Sequence, residues 1–548
     1  SRASKSIHIS EEIQRQLDIK ATQLTPNELI QAILKSPVDL LWNGGIGTYV
    51  KAESETNVQV GDRANDALRI NGAELKASIV GEGGNLGMTQ QGRIEYARQG
   101  GLLNTDAIDN AGGVHSSDYE VNLKILLDQE VAAQDLTSKQ RNRLLASMTD
   151  EVATLVLNQN YQQSQIMSLA RRQSAGMIDD HRRLIHLLES EGRLKRKLEF
   201  LPSDDRLEEL ARNDMGLTRP EIAVLLAYSK LRLFDQLIEG EIGADPDLAQ
   251  ELPGYFPLPI QQQYPEHLDQ HPLRSELIAT QICNMIGNRL GPTIIHYLEE
   301  ETRCQPMDAV RALVAARDIF GIPALWEALE AEEVNLDNNL FSDLLLEIQQ
   351  ILSRAALWLL RNNDTPLSVA RMNGLYQAGV QRVLKELPAL LASEQQLSQR
   401  DLQVQQAGLA DSFVQLERFY YPLDIVMLAH QSGQSEQQAA EAYIQLENQL
   451  GLWQLRDHIE ALPGNDLWER KARVSLENEL DRGLSSTIAR LLNTTDASLP
   501  VSERLQQWQL EHQSLLVHFQ STSDEVNAQD APNLAMLSVA VRELSLLH

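Results

Sequence analysis

Two glycine-rich segments hold the residue types best suited to chemistry. The first, GEGGNLGMT at residues 81–89, sets Gly81, Gly83, Gly84 and Gly87 around a single asparagine. Glycines there let a backbone approach a ligand closely, and the Asn85 amide offers donors and acceptors to a carboxamide or a ribose. The second runs IDNAGGVHSSDYEVNLKILL from Ile108. Gly112 and Gly113 at a helix entry expose backbone N–H groups and the positive end of the helix dipole, a setting for a polar or anionic ligand. Each segment also has a plainer reading: a tight turn for the first, and helix capping by Asn110 and Ser117 for the second.

Strands must deliver both segments. Through residues 1–130 short apolar runs alternate with helical patterns and glycine clusters, the signature of βα units on a parallel sheet. Three strands are expected, at 38–42 (VDLLW), 77–80 (ASIV) and, more weakly, 102–108, running into the turns NGGIGT, GEGGNLG and DNAGGV. Ligands of open α/β sheets bind outside the carboxyl ends of the strands, so these turns are where function is sought. Thr25, Pro26 and Glu28 compose a helix start with N-cap, first-turn proline and capping box. That helix should stop before Pro37.

From about residue 131 the strand signal yields to helical periodicity, as in Met148, Val152, Leu155 and Val156, or Ile278, Ile282, Met285 and Ile286. Thr218 to Glu221 repeat the capping-box logic. Six prolines in 245–272 predict an extended connector. Glutamine-rich stretches at 395–406 and 431–438 predict exposed faces or loops, and polar residues 521–532 predict a connector before a last helix over 534–547. The expected organisation is an incomplete, mostly parallel Rossmann-like α/β unit over 1–130, a helical region over 131–250, a proline-rich connector over 251–272 and a helical domain over 273–548, predominantly helical overall.

A chain of 548 residues needs several cores. Its formal net charge of −29 argues against a phosphate-binding nucleic-acid protein and for an acidic, solubilising surface. No stretch approaches the roughly 18–20 apolar residues of a membrane span. Cys283 and Cys304 are too few for a disulfide framework or a thiolate zinc site, which fits a reducing cytosol and a cytoplasmic location. His181 and His186, five apart, split across a helix, and without HExxH, paired CxxC or a phosphate-loop lysine no metal site is expected. Asn284 and Asn288, four apart, read as a polar stripe hydrogen-bonded between helices. Ser1 rather than Met opens the chain, which reads as a piece of something longer, with initiator removal as the alternative.

The order of a strand, EGGN, a helix, NAGGV, and then a serine and a glutamate just inside a helix resembles the glutamate dehydrogenase family, whose motifs are EGAN, NAGGV and VSxxE. VDLLWNGGIGTYV stands where that family has DILIPAALxNxI. The wording DLLWNGGIGTYVKA, VGDRANDALRI, VGEGGNLGMTQQGRIEYA and DNAGGVHSSDYEVNLKILL is closer still to its very large bacterial NAD-specific branch, as a C-terminal portion of such a protein.

The resemblance implies oxidative deamination of glutamate to 2-oxoglutarate and ammonia, with NAD as hydride acceptor. It makes Gly44, Gly45, Thr48, Gly83, Asn85 and Asn110 coenzyme contacts, the two asparagines on the nicotinamide or ribose side. It makes Val114 and Ser117 part of the pocket for the substrate's side-chain carboxylate. This chain departs from the family where the turn asparagine becomes Thr48, the proline Asn43, and the aromatic pair after the serine Asp118 and Tyr119. The family's catalytic lysine, acid–base aspartate and pyrophosphate turn lie N-terminal to the matched motifs. No catalytic residue is therefore expected here, and the chain alone should be inactive and bind NAD weakly; Lys51 reads as a surface charge. A homo-oligomer is expected of the full-length protein, from the length of a helical region that carries no chemistry. Two other classes fit the residues: a dehydrogenase of a different amino acid, and a helical scaffold with vestigial nucleotide turns.

Overall fold

Helix starts follow the local signals. Thr25 accepts a hydrogen bond from the Glu28 N–H while Glu28 bonds back, and the helix Pro26–Leu34 ends ahead of Pro37. Thr218 and Glu221 form the same reciprocal cap on the helix Arg219–Glu239. The computed structural model describes residues 3–392, 399–409, 413, 416, 421–462 and 467–547. The chain divides into two compact units, Ser1–Tyr297 and Leu298–His548.

In the first unit, β1 (Ile7–His8) pairs antiparallel with β2 (Gln23–Leu24). Next, β3 (Leu40–Asn43) and β4 (Val50–Lys51) precede β5 (Ile70–Asn71) and β6 (Ile79–Glu82). β3 lies parallel to β6 with Leu40 opposite Ile79, Trp42 opposite Gly81 and Asn43 opposite Glu82, and β4 lies parallel to β5. The parallel pairing is as expected, but the extent of the sheet is not: the described residues form three two-stranded sheets, and the whole is predominantly helical. The third expected strand shrinks to a single bridge, Leu102 to Ile79, followed by a helical turn, Asp106–Asp109. The residues after Leu103 are polar, and Asn104 and Asp106 make side-chain bonds to neighbouring segments in place of a ladder.

Side chains alternate across β3 and β6 with the period of two that a strand imposes. One face sends Val80 into a core with Val50, Ile70, Met88, Tyr96 and Leu103, against which Leu41 packs. The opposite face carries Leu40, Trp42 and Ile79, all exposed, with Leu102 beside them.

The helices of this part of the chain include Gln90–Arg98, Ala111–Ala132, Thr149–Gln173, Arg219–Glu239 and Arg274–Leu290. The last of these belongs to the first unit, although sequence patterning groups it with the C-terminal region. The proline-rich stretch is not extended. Its prolines open short helical turns, Pro253–Tyr255, Leu258–Gln263 and Pro265–Leu268, because proline suits a first turn whose N–H would be unbonded. Tyr255 and Phe256 are buried; Tyr255 stacks on Tyr119 at 4.8 Å between ring centroids and donates to Asp118 at 2.8 Å.

The second unit is built of helices, Pro306–Ile319 and Asn338–Asn362 among them. The helix Gln513–Asn527 runs through much of the expected connector, since Phe519, Ser523 and Val526 recur at helical spacing and are buried. The last helix is Leu534–Leu544. Of the glutamine-rich stretches, residues 395–398 lie outside the described residues, 399–406 are helical, and Ser435 caps the helix Glu436–Leu450 with Gln438.

This unit encloses a polar cluster. Asp424, on the helix Tyr421–Ser432, accepts from the Trp358 indole N–H at 3.0 Å. Arg456 pairs with Asp481 at 2.7 Å, and Tyr421 donates to Glu447 at 2.7 Å. Burial, reinforced by Asp481, pushes the Asp424 carboxyl up to about 7, against the pull of Trp358 and Arg456. The unfolded chain ionises this group near pH ~4. Its contribution to stability is therefore intact below about pH 4, falls as pH rises to about 7, and stays at its low value beyond. The expected outcome is that Asp424→Asn flattens the loss of stability between about pH 4 and pH 7 in urea denaturation; the same slope in variant and parent would refute it.

Candidate functional site

β3 and β6 end side by side, and their carboxyl ends release the turns 43–48 and 83–87 against each other. The contact is close enough to demand glycine: a Cβ on Gly84 would stand 2.5 Å from the Gly45 carbonyl oxygen. A Cβ on Gly83 would stand 2.4 Å from the Trp42 ring, and one on Gly81 2.6 Å. These glycines thus serve an approach between two parts of the chain. Gly44 and Gly45 stay exposed, with nothing within 4 Å of where a Gly45 Cβ would be.

A buried ion pair fixes the end of β6. Glu82 is 0% exposed, and Arg93, from the helix Gln90–Arg98, grips both its oxygens at 2.6 and 2.9 Å. Burial pushes the Glu82 carboxyl upward while Arg93 pulls it back. Arg93 also meets Asp106 at 3.0 Å, and Asp106 accepts the Leu86 N–H at 2.8 Å. Asp109 accepts the Glu82 N–H at 3.0 Å and the Asn104 amide at 2.8 Å, and Arg219 clasps Asn104 at 3.0 and 2.7 Å. The turn after β6 and the segment before the helix Ala111–Ala132 are thereby one bonded unit.

Across that unit the Asn110 amide donates to the Asn85 side-chain oxygen. Asn110 stands at the N-cap of its helix yet makes no side-chain cap bond, so the capping alternative does not describe it. The Asn85 NH2 group and the Asn110 side-chain oxygen have no partner among the described residues. Val114 is 70% exposed and Ser117 is exposed; positions 110, 114 and 117 share one helix face by spacing. Thr48 is fastened elsewhere: its N–H goes to Asp62 at 2.9 Å and its carbonyl accepts from Arg69 at 2.8 Å. Lys51 is not a free surface charge, since it donates to Asn71 at 2.6 Å and to the Ala52 carbonyl at 3.0 Å.

Sequence reasoning missed three residues. Trp42, read only as the last residue of a strand, lines a cleft of about 380 Å³ with Leu40, Ile79, Leu102, Asn160 and Arg219. Its signal was an aromatic residue immediately before a glycine turn. Arg219 was visible only as a neighbour of a capping threonine. Lys230 sits in the apolar run after that cap, where a lone lysine is the signal; it donates to Asn284 at 3.1 Å and Asn288 at 2.5 Å, which gives that polar stripe its partner. Burial pushes its ammonium down to about 8. His181 is buried and His186 exposed beside Asp204, on different sides of their helix. No group of three or more His, Cys, Asp or Glu among the described residues could hold a metal ion. None of the described helices is long and apolar enough to cross a membrane.

Paired amides and open glycine turns thus stand at the carboxyl ends of two parallel strands, ahead of a helix start, the place where open α/β sheets bind their ligands. The comparisons narrow that reading. Residues 1–170 match the family described as bacterial NAD-glutamate dehydrogenase, catalytic domain, and residues 214–546 match glutamate dehydrogenase, C-terminal. Over 99% of its length the chain is 38% identical to the NAD-specific glutamate dehydrogenases of Halomonas elongata and Pseudomonas aeruginosa, and 34% identical to that of Mycobacterium tuberculosis. It spans 34% of the length of each. The chain belongs to the bacterial NAD-specific glutamate dehydrogenase family.

The geometry predicts that Glu82→Gln, which leaves Arg93 buried without its carboxylate, lowers the stability of the first unit by about 3 kcal/mol in chemical denaturation. A loss below about 1 kcal/mol, as for a surface pair, would contradict the role given to this ion pair.

Proposed function

We propose that this chain serves the oxidative deamination of glutamate to 2-oxoglutarate and ammonia, as the part of an NAD-specific glutamate dehydrogenase that positions coenzyme and substrate. The observation that carries the proposal is the Asn85–Asn110 bond. It engages the Asn85 oxygen and one N–H of Asn110 and leaves the Asn85 NH2 group and the Asn110 oxygen without a partner among the described residues, a fit for the carboxamide or ribose of NAD. Gly44 and Gly45 give the coenzyme backbone that it can approach, Gly83 being covered by the Trp42 ring, and Thr48 holds the first turn through its backbone bonds to Asp62 and Arg69.

NAD, when bound, accepts the hydride from the substrate's α-carbon. The residues of this chain bind and orient, and holding reactants in an attack-ready geometry is itself a large part of catalysis. Ser117 donates its hydroxyl to the side-chain carboxylate of glutamate, and Val114, one turn earlier on the same face, forms the apolar wall beside it. No catalytic base is assigned to this chain. The helical region beyond residue 130 serves assembly or regulation in this reading.

In glutamate-dependent NAD reduction by the enzyme that contains this chain, Asn85→Ala and Asn110→Ala are each expected to raise the KM for NAD about tenfold, the worth of one or two hydrogen bonds. Ser117→Ala should raise the KM for glutamate instead. Unchanged constants in all three variants would sink the proposal, and turnover of leucine or valine without glutamate would move it to another amino-acid dehydrogenase.

A further inference from the structure

The proline-rich stretch grips one turn of the helix Ala111–Ala132. Tyr255, which is buried, donates its hydroxyl to Asp118 at 2.8 Å and accepts from the Asn122 amide at 2.9 Å. The same amide reaches the other Asp118 oxygen at 3.2 Å. The Tyr255 ring lies stacked on Tyr119, whose hydroxyl accepts from Gln159 at 2.9 Å. His271, further along the stretch, meets the same turn. Its Nδ1 accepts the Leu273 N–H at 3.1 Å, which leaves Nε2 to donate to the Asn122 carbonyl at 3.2 Å. Residues 118, 119 and 122 are thus held by two buried side chains from outside their own helix.

That grip falls immediately after Ser117. Successive residues of a helix turn by about 100°, so Asp118, Asn122 and Tyr119 lie about 100–200° around the axis from Ser117, while Val114 lies within about 60° of it. Ser117 is exposed and makes no side-chain bond among the described residues, so its hydroxyl is aimed by the set of the helix. A side chain ends about 5–6 Å from the axis, and a rotation of about 20° carries it by about 2 Å, more than the span over which a hydrogen bond keeps its strength. Turning the helix would also draw Asp118 away from the Tyr255 hydroxyl, and an enclosed donor without an acceptor is costly. Asn110 is held separately, by Asn85. We propose that Tyr255 is a positioning residue for the substrate: through Asp118 it fixes the rotation of this helix, and with it the aim of the Ser117 hydroxyl at the side-chain carboxylate of glutamate. The proposal rests on the substrate reading above. Burial, and after it Asp118, pushes the Tyr255 phenol up, so the proton of this bond stays on Tyr255 through the neutral range.

The test compares Tyr255→Phe, Ser117→Ala and the double variant in glutamate-dependent NAD reduction by the enzyme that contains this chain. Phenylalanine keeps the ring on Tyr119 and removes only the hydroxyl. Tyr255→Phe is expected to raise the KM for glutamate about tenfold, the worth of one hydrogen bond to a charged group, and to leave the KM for NAD unchanged. Added to Ser117→Ala it should have no further effect, because the hydroxyl it aims is gone. Asp118→Ala, which removes the acceptor, should match Tyr255→Phe and add nothing to it. A lower melting temperature in Tyr255→Phe with an unaltered KM for glutamate, beside a Ser117→Ala enzyme that shows the rise, would overturn the positioning role and leave the substrate reading standing. An equal effect of Tyr255→Phe with and without the Ser117 hydroxyl would overturn it as well. An unaltered KM for glutamate in Ser117→Ala would overturn both.

Discussion

Glu82 closes a parallel strand with its carboxylate fully enclosed, and an enclosed carboxylate is tolerable only when a cation and further hydrogen bonds replace the water it gave up. Arg93 supplies both. Since Arg93 also reaches Asp106, and Asp106 and Asp109 take the N–H groups of Leu86 and Glu82, one desolvated charge organises the turn after β6, the helix that follows it and the approach to the helix Ala111–Ala132. The Asn85–Asn110 bond is possible because those two segments are already held at the right separation. A pair of surface charges could not do this, for its geometry would be loose and its strength screened by salt.

The remainder of the first unit braces that arrangement from behind. Arg219 ties Asn104 to the start of its own helix, and Tyr255 locks onto Tyr119 and Asp118 two turns into the helix that Asn110 begins. The proline-rich stretch therefore acts as a strut: prolines that cannot continue a helix are well placed to begin short ones, and the aromatic residues between them anchor each turn. The site is rigid at its back and open at its face, the condition under which polar side chains can be aimed.

What was legible in the sequence was what is local. The capping boxes at Thr25 and Thr218 involve residues three apart, and the structure forms both. The apolar spacings at Met148 and Ile278 likewise announce their helices. The two turns were legible as places, since glycine after a strand is a strong signal, but their inner logic was not. That Gly84 faces Gly45, that Gly83 seats Trp42 and that Asn110 bonds Asn85 instead of capping its helix all depend on which segments lie together in space. The expected third strand failed for a related reason: the polar side chains after Leu103 make better bonds to neighbouring turns than to a ladder. Ser523 and Val526 sit in a segment whose composition reads as loose, and their burial in line with Phe519 explains its helix.

The parallel pairing of β3 and β6 has a bearing on how the molecule comes together. Its partners, Leu40 and Ile79, are separated by a long intervening segment, and the ends of that segment must meet before a single ladder bond rewards the loss of chain entropy. Capped helices such as Arg219–Glu239 draw on contacts a turn apart and can form early. The strand ends that carry Trp42 and Asn85 should thus be a late acquisition of folding, and among the first regions to open when the protein is stressed.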